Sequence, residues 1–182
     1  MVQECLNFLN KEWCDFLIDV SKEKYQKMTV VGGEKRNNGA RIADGVWLNN
    51  DSEASKVVRE RISKVTNLPT ENMENVHIVK YEVGGEYKPH FDYFNVKVNA
   101  KELERGGQRI KSVLVYLNDD FEGGETQFPK LKLTVKPQIG KLIVWDNVSE
   151  GKENPNSVHA GLPVTKGTKY IMIVWIRENK FK

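Results

Sequence analysis

The sequence predicts a mainly β protein, a β-sandwich or jelly roll braced by N-terminal α-helices. Two observations carry this prediction. Residues 11–26 and 52–66 show the spacing of amphipathic helices. From residue 76 onward, short β-rich runs are separated by turn-forming glycines and prolines. Many short strands after a helical part are typical of a sandwich or jelly roll with helices packed on it.

The two helices are predicted from their apolar faces and their caps. Asn10 is the expected N-cap of the first helix, and Ser52 or Asp51 that of the second, which ends at Asn67-Leu68-Pro69. The apolar face of the first helix carries Trp13, Phe16, Leu17 and Val20. The stripe of the second carries Val58, Ile62 and Val65. We expect both helices to support the core rather than to carry chemistry.

The strand predictions follow from β-rich composition between turn signals. In the last run, Lys169, Ile171, Ile173 and Trp175 share one face, and the opposite face is also apolar, so this strand is expected to be buried on both sides. A lysine on such a face needs an anionic partner, because an unpaired buried charge is costly. The predicted runs are 76–83, 85–93, 110–118, 131–135, 141–145, 157–162 and 169–177.

Size and charge limit the classes of function. The chain has 182 residues and a net charge of +3, so we expect a single domain over 1–182, with a helical support region at 1–75 and a jelly-roll core at 76–182. No dense Lys/Arg block indicates nucleic acid, and no signal peptide or long apolar run indicates a membrane. We therefore expect a soluble, cytoplasmic protein. Its oligomeric state is open at this stage.

A candidate metal site comes from His90-Phe91-Asp92 and the distant His159. Alternate side chains of a strand point the same way, so His90 and Asp92 face one cavity together. Two histidines and one carboxylate on one face of an octahedral ion leave three open positions, which suits a non-haem Fe(II) oxygenase. Lys169 would supply a fixed positive charge for the far carboxylate of an acidic cosubstrate.

These residues, together with the segments around them, resemble the 2-oxoglutarate- and Fe(II)-dependent prolyl 4-hydroxylase family over nearly the whole chain. The compact chain is most similar to stand-alone microbial, algal or viral forms. The motifs are Tyr81-Glu-Val-Gly-Gly-Glu-Tyr87-Lys-Pro-His90-Phe-Asp92, Gly106-Gly-Gln-Arg109, Tyr116-Leu-Asn118, Glu122-Gly-Gly-Glu-Thr126-Gln-Phe-Pro129, His159-Ala-Gly-Leu-Pro-Val and Gly167-Thr-Lys169-Tyr.

The resemblance implies a fold and a set of roles. It implies a double-stranded β-helix, that is, a jelly-roll core. It implies that iron is held by His90, Asp92 and His159, which form the catalytic centre. The far carboxylate of 2-oxoglutarate is expected to meet Lys169, Tyr81 and Thr126. The residues expected near a peptide substrate are Arg109, Tyr87 and Trp175.

The implied reaction is hydroxylation of peptidyl proline to 4-hydroxyproline, coupled to oxidative decarboxylation of 2-oxoglutarate to succinate and CO2. O2 is the second cosubstrate, and ascorbate is the expected reductant. The partner is a proline-containing peptide or protein, and the polar loop 95–108 is expected to close over it.

Small departures from the family pattern leave the substrate open. Ser112 stands where the family often has threonine, and Gly85 where it often has glutamine. One alternative is a related 2-oxoglutarate oxygenase that acts on a free amino acid or on another protein side chain. A second is a non-catalytic module that binds a metal and a peptide. A zinc hydrolase is disfavoured because nothing in the sequence indicates a general base beside the metal.

Overall fold

The computed structural model describes residues 1–22, 24–28 and 39–182. Within these ranges, none of the helices has the length and apolar character needed to cross a membrane. The helices are α1 (Lys11–Ser21), α2 (Glu53–Thr66) and α3 (Ala100–Leu103). Short 3-10 turns lie at Thr70–Asn72, Pro129–Leu131 and Pro155–Ser157.

The strands of the described residues are short and numerous. In chain order they are β1 (Val2–Cys5), β2 (Gln26–Lys27), β3 (Arg41–Ile42), β4 (Asp44–Trp47), β5 (His77–Tyr81), β6 (Glu86–His90), β7 (Arg109–Tyr116), β8 (Glu122–Gly123), β9 (Thr126–Phe128), β10 (Leu133–Val135), β11 (Leu142–Asp146), β12 (Val148–Ser149), β13 (Lys152–Glu153), β14 (His159–Gly161), β15 (Val164–Lys166) and β16 (Lys169–Arg177).

Two antiparallel sheets form the body of the protein. The larger has the strand order β1-β11-β7-β16-β5-β4-β2, and the smaller has the order β10-β9-β14-β6-β3. Two further pairs, β12 with β13 and β15 with β8, lie outside these sheets. The mainly β, jelly-roll prediction is confirmed.

The core has two layers, one on each face of the larger sheet. On one face, Met172, Val174 and Ile176 pack in a cluster with residues of α1 and α2. On the other face, Ile171, Ile173 and Trp175 pack in a cluster that also contains Phe128 of the smaller sheet. This alternation along β16 is the one predicted from the sequence, and it places the inner layer between the two sheets.

The helix predictions are correct in place but not in every boundary. The side chains of Asn10 and Ser52 cap α1 and α2 as predicted. However, α1 ends at Ser21, five residues before the predicted end, and Gln26 already pairs with β4. The Ser21 hydroxyl donates to the Ile18 carbonyl at 2.7 Å, a local bond that is common where a helix ends.

Two residues of the predicted apolar faces are exposed in the structure. Phe16 and Val65 are 44% and 43% exposed. The residues that α1 buries are Cys14, Leu17 and Ser21, whereas α2 buries Ala54, Ser55, Val58 and Ile62. The packed face is therefore rotated slightly towards small residues, which allow the helices to approach the sheet closely.

Residues 1–75 do more than the expected helical support. They contribute β1, which pairs with β11, and β4, which pairs with β5, so that both edges of the larger sheet come from this region. β3 adds an edge to the smaller sheet. These strands have two to four residues each, too few for an alternating pattern to be visible in the sequence.

The loop 95–108 contains the single turn of α3 and is attached to the core at its far end. Arg177, which is fully buried, donates to the carbonyls of Glu102 at 2.6 Å and Gly107 at 2.7 Å. The Gln108 amide also bonds the backbone of Phe94 through both its oxygen and its nitrogen. Closure of this loop over a substrate stays a prediction.

Candidate active site

A narrow cavity opens between the two sheets. Its walls combine the inner face of β16 and β5 with residues of β6, β9 and β14. The lining residues are Arg41, Tyr81, Tyr87, His90, Asp92, Leu114, Thr126, His159, Ala160, Gly161, Lys169, Ile171, Ile173 and Trp175.

The predicted metal-binding residues meet in this cavity. β14 pairs with β6 so that His159 lies directly opposite His90, and Asp92 follows two residues after His90. The His90 Nε2 atom is 3.7 Å from Asp92 Oδ1, and the His159 Nε2 atom is 3.6 Å from Asp92 Oδ2. The candidate ligand atoms of all three residues lie within 4.8 Å of one another. One ion can therefore contact all three.

Backbone carbonyls set the tautomer of both imidazoles. The His90 Nδ1 atom lies 2.8 Å from the Lys88 carbonyl, and the His159 Nδ1 atom lies 2.9 Å from the Ser157 carbonyl. A carbonyl only accepts, so each Nδ1 carries the proton and each Nε2 lone pair faces the other ligand atoms. Such hydrogen bonds to the second ring nitrogen are characteristic of histidine metal ligands.

The protonation states also suit a cation. Burial, reinforced by His159, lowers the pKa of His90 to about 3, so its imidazole is neutral at pH 7. Burial raises the pKa of Asp92, but His159, His90, the charge of Arg109 and the hydrogen bond from Ser112 together lower it to about 2. A neutral imidazole and an ionised carboxylate are the forms that bind a metal.

A buried cation lies at another point of the cavity wall. Lys169 is 2% exposed, and its Nζ donates to the Gly124 carbonyl at 2.6 Å. None of the described carboxylates forms an ion pair with it. Burial therefore lowers the pKa of Lys169 to about 7, although the charge of Glu125 opposes this shift. A lysine in this state is ready to receive an anion from the cavity.

Gly124 makes room for this lysine. Its φ of +66° is a left-handed conformation that favours glycine, and an added Cβ would lie 2.9 Å from the Lys169 Cδ atom. The Gly123-Gly124 pair of the sequence motif thus has a steric role, because any side chain at position 124 would push Lys169 away from its observed place.

Thr126 and Tyr81 line the same cavity as Lys169. Thr126 is buried, and its Oγ1 accepts a hydrogen bond from the Tyr116 hydroxyl at 2.7 Å. Because that oxygen already accepts, the threonine proton can be donated into the cavity. Tyr81 pairs with Lys169 across β5 and β16, and its ring centroid lies 5.0 Å from the lysine Nζ.

Arg109 and Trp175, predicted near a peptide substrate, are stacked on one another. The Arg109 guanidinium carbon is 3.9 Å from the centroid of the Trp175 ring. Arg109 also forms a two-bond ion pair with Glu74, with both N–O distances at 2.7 Å. Its guanidinium is therefore held in one orientation by a partner that the sequence motifs did not indicate.

Tyr87, the third predicted substrate residue, lies directly against the metal-binding group. Its ring stacks on the His90 imidazole with a centroid distance of 3.4 Å and an angle of 15°. The Arg41 guanidinium carbon lies 4.7 Å from the centroid of the Tyr87 ring. Burial raises the pKa of the Tyr87 hydroxyl to about 12, so the phenol stays protonated and can donate.

The sequence reasoning missed four residues around the cavity. Arg41 and Glu74 lie in segments for which the sequence predicted no role. Ser112 was noted only as a departure from the family pattern, and Asn147 not at all. Ser112 donates a hydrogen bond to Asp92, and Asn147 donates one to Ser112.

Taken together, the cavity can bind a divalent cation facially and a carboxylate beside it. Two imidazoles and one carboxylate leave half of an octahedral coordination sphere open for exchangeable ligands. The buried Lys169 gives a chelating dicarboxylate a second, charge-based contact in the same cavity. Apolar and aromatic walls limit the entry of water, which strengthens both interactions.

The comparisons with known proteins agree with this chemistry. The 2OG-Fe(II) oxygenase superfamily matches residues 76–177. Probable prolyl 4-hydroxylase 10 of Arabidopsis thaliana is 35% identical, over 97% of this chain and 68% of its own length. A putative prolyl 4-hydroxylase of Acanthamoeba polyphaga mimivirus is 34% identical, over 96% of this chain and 73% of its own length.

A solved structure is similar over nearly the whole chain. The viral collagen prolyl hydroxylase of Paramecium Bursaria Chlorella virus-1, crystallised as a 2-oxoglutarate complex, superposes with a TM-score of 0.76 at 27% identity. The match covers 97% of this chain and 95% of the viral one. The double-stranded β-helix expected from the sequence is thus confirmed.

Proposed function

The chain belongs to the 2OG-Fe(II) oxygenase superfamily, among the prolyl 4-hydroxylases, and from this premise we propose how its own residues divide the work. The enzyme is an Fe(II)- and 2-oxoglutarate-dependent dioxygenase. We assign to it the hydroxylation of peptidyl proline to 4-hydroxyproline. The observation that carries the assignment is one cavity that combines the His90, Asp92 and His159 ligand atoms with the buried cation of Lys169.

His90, Asp92 and His159 are the proposed iron ligands. The donor set fits Fe(II), because neutral imidazole and carboxylate together favour this ion in oxygenases. Bound Fe(II) and 2-oxoglutarate supply the oxidation: O2 gives one oxygen atom to the substrate and one to succinate, and CO2 is released. What the chain supplies is the facial arrangement of three ligands and a cavity poor in water.

Lys169, Tyr81 and Thr126 are the proposed contacts of the far carboxylate of 2-oxoglutarate. The ammonium group supplies the charge, and the Thr126 hydroxyl donates a second hydrogen bond because Tyr116 fixes its oxygen as an acceptor. The buried lysine is costly without this anion. Binding of 2-oxoglutarate therefore relieves an unfavourable charge as well as forming hydrogen bonds.

Arg109, Tyr87 and Trp175 are the proposed contacts of the peptide. The rings of Tyr87 and Trp175 line the cavity and suit a flat, apolar prolyl ring. Arg109 keeps donors available for peptide carbonyls while Glu74 fixes its orientation. We further propose that residues 1–182 act as one oxygenase domain and that ascorbate serves as its reductant.

An assay with Fe(II), 2-oxoglutarate and ascorbate in air tests the function. Succinate and the mass of the peptide are followed together, with and without a panel of proline-rich peptides. We expect peptide-stimulated succinate and the addition of one oxygen atom per modified proline. Tandem mass spectrometry and amino-acid analysis identify 4-hydroxyproline as the product. Succinate production that no peptide stimulates would contradict the peptidyl-proline assignment.

A matched control uses peptides in which every proline is replaced by alanine. They keep the length and charge of the substrates but lack the prolyl ring. If these peptides stimulate succinate equally and gain oxygen elsewhere, the enzyme oxidises another side chain, and the proposed role of the aromatic pair is wrong.

A further inference from the structure

The three proposed iron ligands are oriented in two different ways. His90 and His159 are each held by a backbone carbonyl two residues earlier, at Lys88 and Ser157. Those bonds form within one short segment and need no particular side chain. Asp92, by contrast, is oriented by side chains that come from other parts of the chain, so its orientation depends on residue identity.

A chain of two hydrogen bonds leads from Asp92 to the end of β11. The Ser112 hydroxyl donates to Asp92 Oδ2 at 2.6 Å, and the Asn147 Nδ2 atom donates to the Ser112 Oγ at 2.8 Å. Ser112 lies on the inner face of β7, and Asn147 follows the last residue of β11. Both residues are fully buried, so water does not compete for these bonds.

The backbone holds Asn147 in place from both sides. Its N–H donates to the Ile110 carbonyl at 2.8 Å, and its own carbonyl accepts from the Asn154 N–H at 2.9 Å. The Asn154 side chain in turn donates to the Asp146 carbonyl at 2.8 Å. The amide of Asn147 is therefore presented to Ser112 by a rigid turn rather than by a free loop.

The number of available protons decides which group donates in each of the two hydrogen bonds. A serine hydroxyl has a single proton, and an ionised Asp92 can only accept. When Asn147 donates to Ser112, the serine proton remains available for Asp92. If the amide were reversed, its oxygen would compete for that proton and leave a buried carboxylate oxygen facing an acceptor. The donating amide thus directs the serine proton to Oδ2 of Asp92.

We propose that Ser112 and Asn147 are positioning residues for the iron ligand Asp92. They act as one unit that holds the carboxylate so that one oxygen faces the metal while the other is hydrogen-bonded. This inference rests on the proposed iron site but not on the identity of the oxygenated substrate. Loss of a partner that orients a metal ligand typically weakens metal binding about 10- to 100-fold.

The test compares Ser112→Thr with Ser112→Val. Threonine and valine have nearly the same shape and differ in the hydroxyl, so steric effects on folding cancel between them. The Kd for Fe(II) is measured anaerobically on the full chain by equilibrium dialysis with metal analysis. We expect Ser112→Thr to bind Fe(II) within about threefold of the wild-type protein, and Ser112→Val to bind about 10- to 100-fold more weakly than Ser112→Thr.

Asn147→Ala tests the residue that donates to Ser112 and does not contact Asp92 itself. Alone, it is expected to weaken Fe(II) binding by an amount similar to the Val substitution. Because both changes break the same chain, the double variant with Ser112→Val should be no weaker than the weaker single variant, rather than showing the product of two effects. Thermal unfolding of the iron-free variants gives the structural readout, and the Thr and Val variants should unfold within a few degrees of each other.

Each other outcome overturns a specific statement. Equal Fe(II) affinity of the Thr and Val variants would show that the hydroxyl does not position Asp92. Multiplicative effects in the double variant would show that Asn147 does not act through Ser112. Failure of the wild-type protein to bind Fe(II) would overturn the iron site itself, and the inference with it.

Discussion

Replacing Lys169 with methionine should change stability and cosubstrate binding in opposite directions. Methionine keeps the length of the side chain but removes its charge. Lys169 is buried, and burial lowers its pKa from 10.5 to about 7. A lysine that serves only the fold would be expected to stabilise it, whereas one that awaits an anion should destabilise the protein until the anion binds.

The size of both effects follows from the structure. Because the folded-state pKa lies below the unfolded one, the cost is fully present below pH 7 and is lost as the pH rises towards 10.5. A fall from 10.5 to about 7 corresponds to a cost on the order of 4 kcal/mol at pH 7. Replacing the lysine with methionine removes this cost. However, methionine leaves the Gly124 carbonyl without its hydrogen-bond donor, which destabilises the protein by about 1–3 kcal/mol.

The expected net stabilisation is therefore about 1–3 kcal/mol, a rise in Tm of roughly 2–10 °C for a chain of this size. For 2-oxoglutarate, leaving the far carboxylate without its cation should cost about 2–5 kcal/mol, or roughly 30- to 4,000-fold in Kd. Binding of Fe(II) alone should remain close to that of the wild-type protein, because Lys169 does not contact the three ligands.

Differential scanning calorimetry without cosubstrate and isothermal titration with 2-oxoglutarate measure the two effects. Lys166→Met is the matched control, because Lys166 is exposed and lies only three residues away, with an exposed partner in Glu122. It should change neither quantity. A Lys169→Met variant with a lower Tm and unchanged 2-oxoglutarate affinity would refute the reasoning, since Lys169 would then be a structural cation.

Three further predictions concern the same cavity. The affinity for 2-oxoglutarate should fall by up to about tenfold per pH unit above pH 7. Free Lys169 loses its proton there while the bound form retains it, so binding takes up a proton. Titrations of 2-oxoglutarate from pH 6 to 9 measure this dependence, and an affinity that does not change with pH contradicts it. His159→Ala should lose stoichiometric Fe(II) and all succinate production in metal analysis and turnover assays; retained activity would remove His159 from the ligand set. Arg109→Ala should raise the KM for the peptide about tenfold or more and change the 2-oxoglutarate affinity by no more than about twofold, because its guanidinium lies on the Trp175 ring. Steady-state kinetics with each substrate varied in turn measure both quantities. A weaker affinity for 2-oxoglutarate with an unchanged KM for the peptide would show that Arg109 serves the cosubstrate.

Much of the site was predictable because strand geometry is periodic. Alternation along β16 places Lys169 and Trp175 on one face, and the same rule places His90 and Asp92 together. Lys169 and Trp175 do share a face of β16, and His90 and Asp92 line the same cavity, although β6 ends at His90 and Asp92 lies in the bend that follows. The apolar character of both faces of β16 also correctly predicted its burial and that of Lys169.

Boundaries and short strands were less predictable. The predicted helix over residues 11–26 was too long: its apolar face already ends at Val20, and Gln26 begins β2. The sequence did not predict the strands of residues 1–75. Hydrogen bonds to the distant strands β5, β6 and β11 define them. Pairing with a distant strand leaves no local signal in two to four residues.

The sequence by itself therefore predicted the mainly β fold, the burial of Lys169 and the closeness of His90 to Asp92. These predictions follow from residue type and from the alternation of side chains in short runs. Only the tertiary structure decided which side chains surround them. Ser112 and Asn147 are 35 residues apart, as are Glu74 and Arg109, yet each pair is hydrogen-bonded. The period of a strand tells which way a side chain points, but strand order and register decide what it meets there.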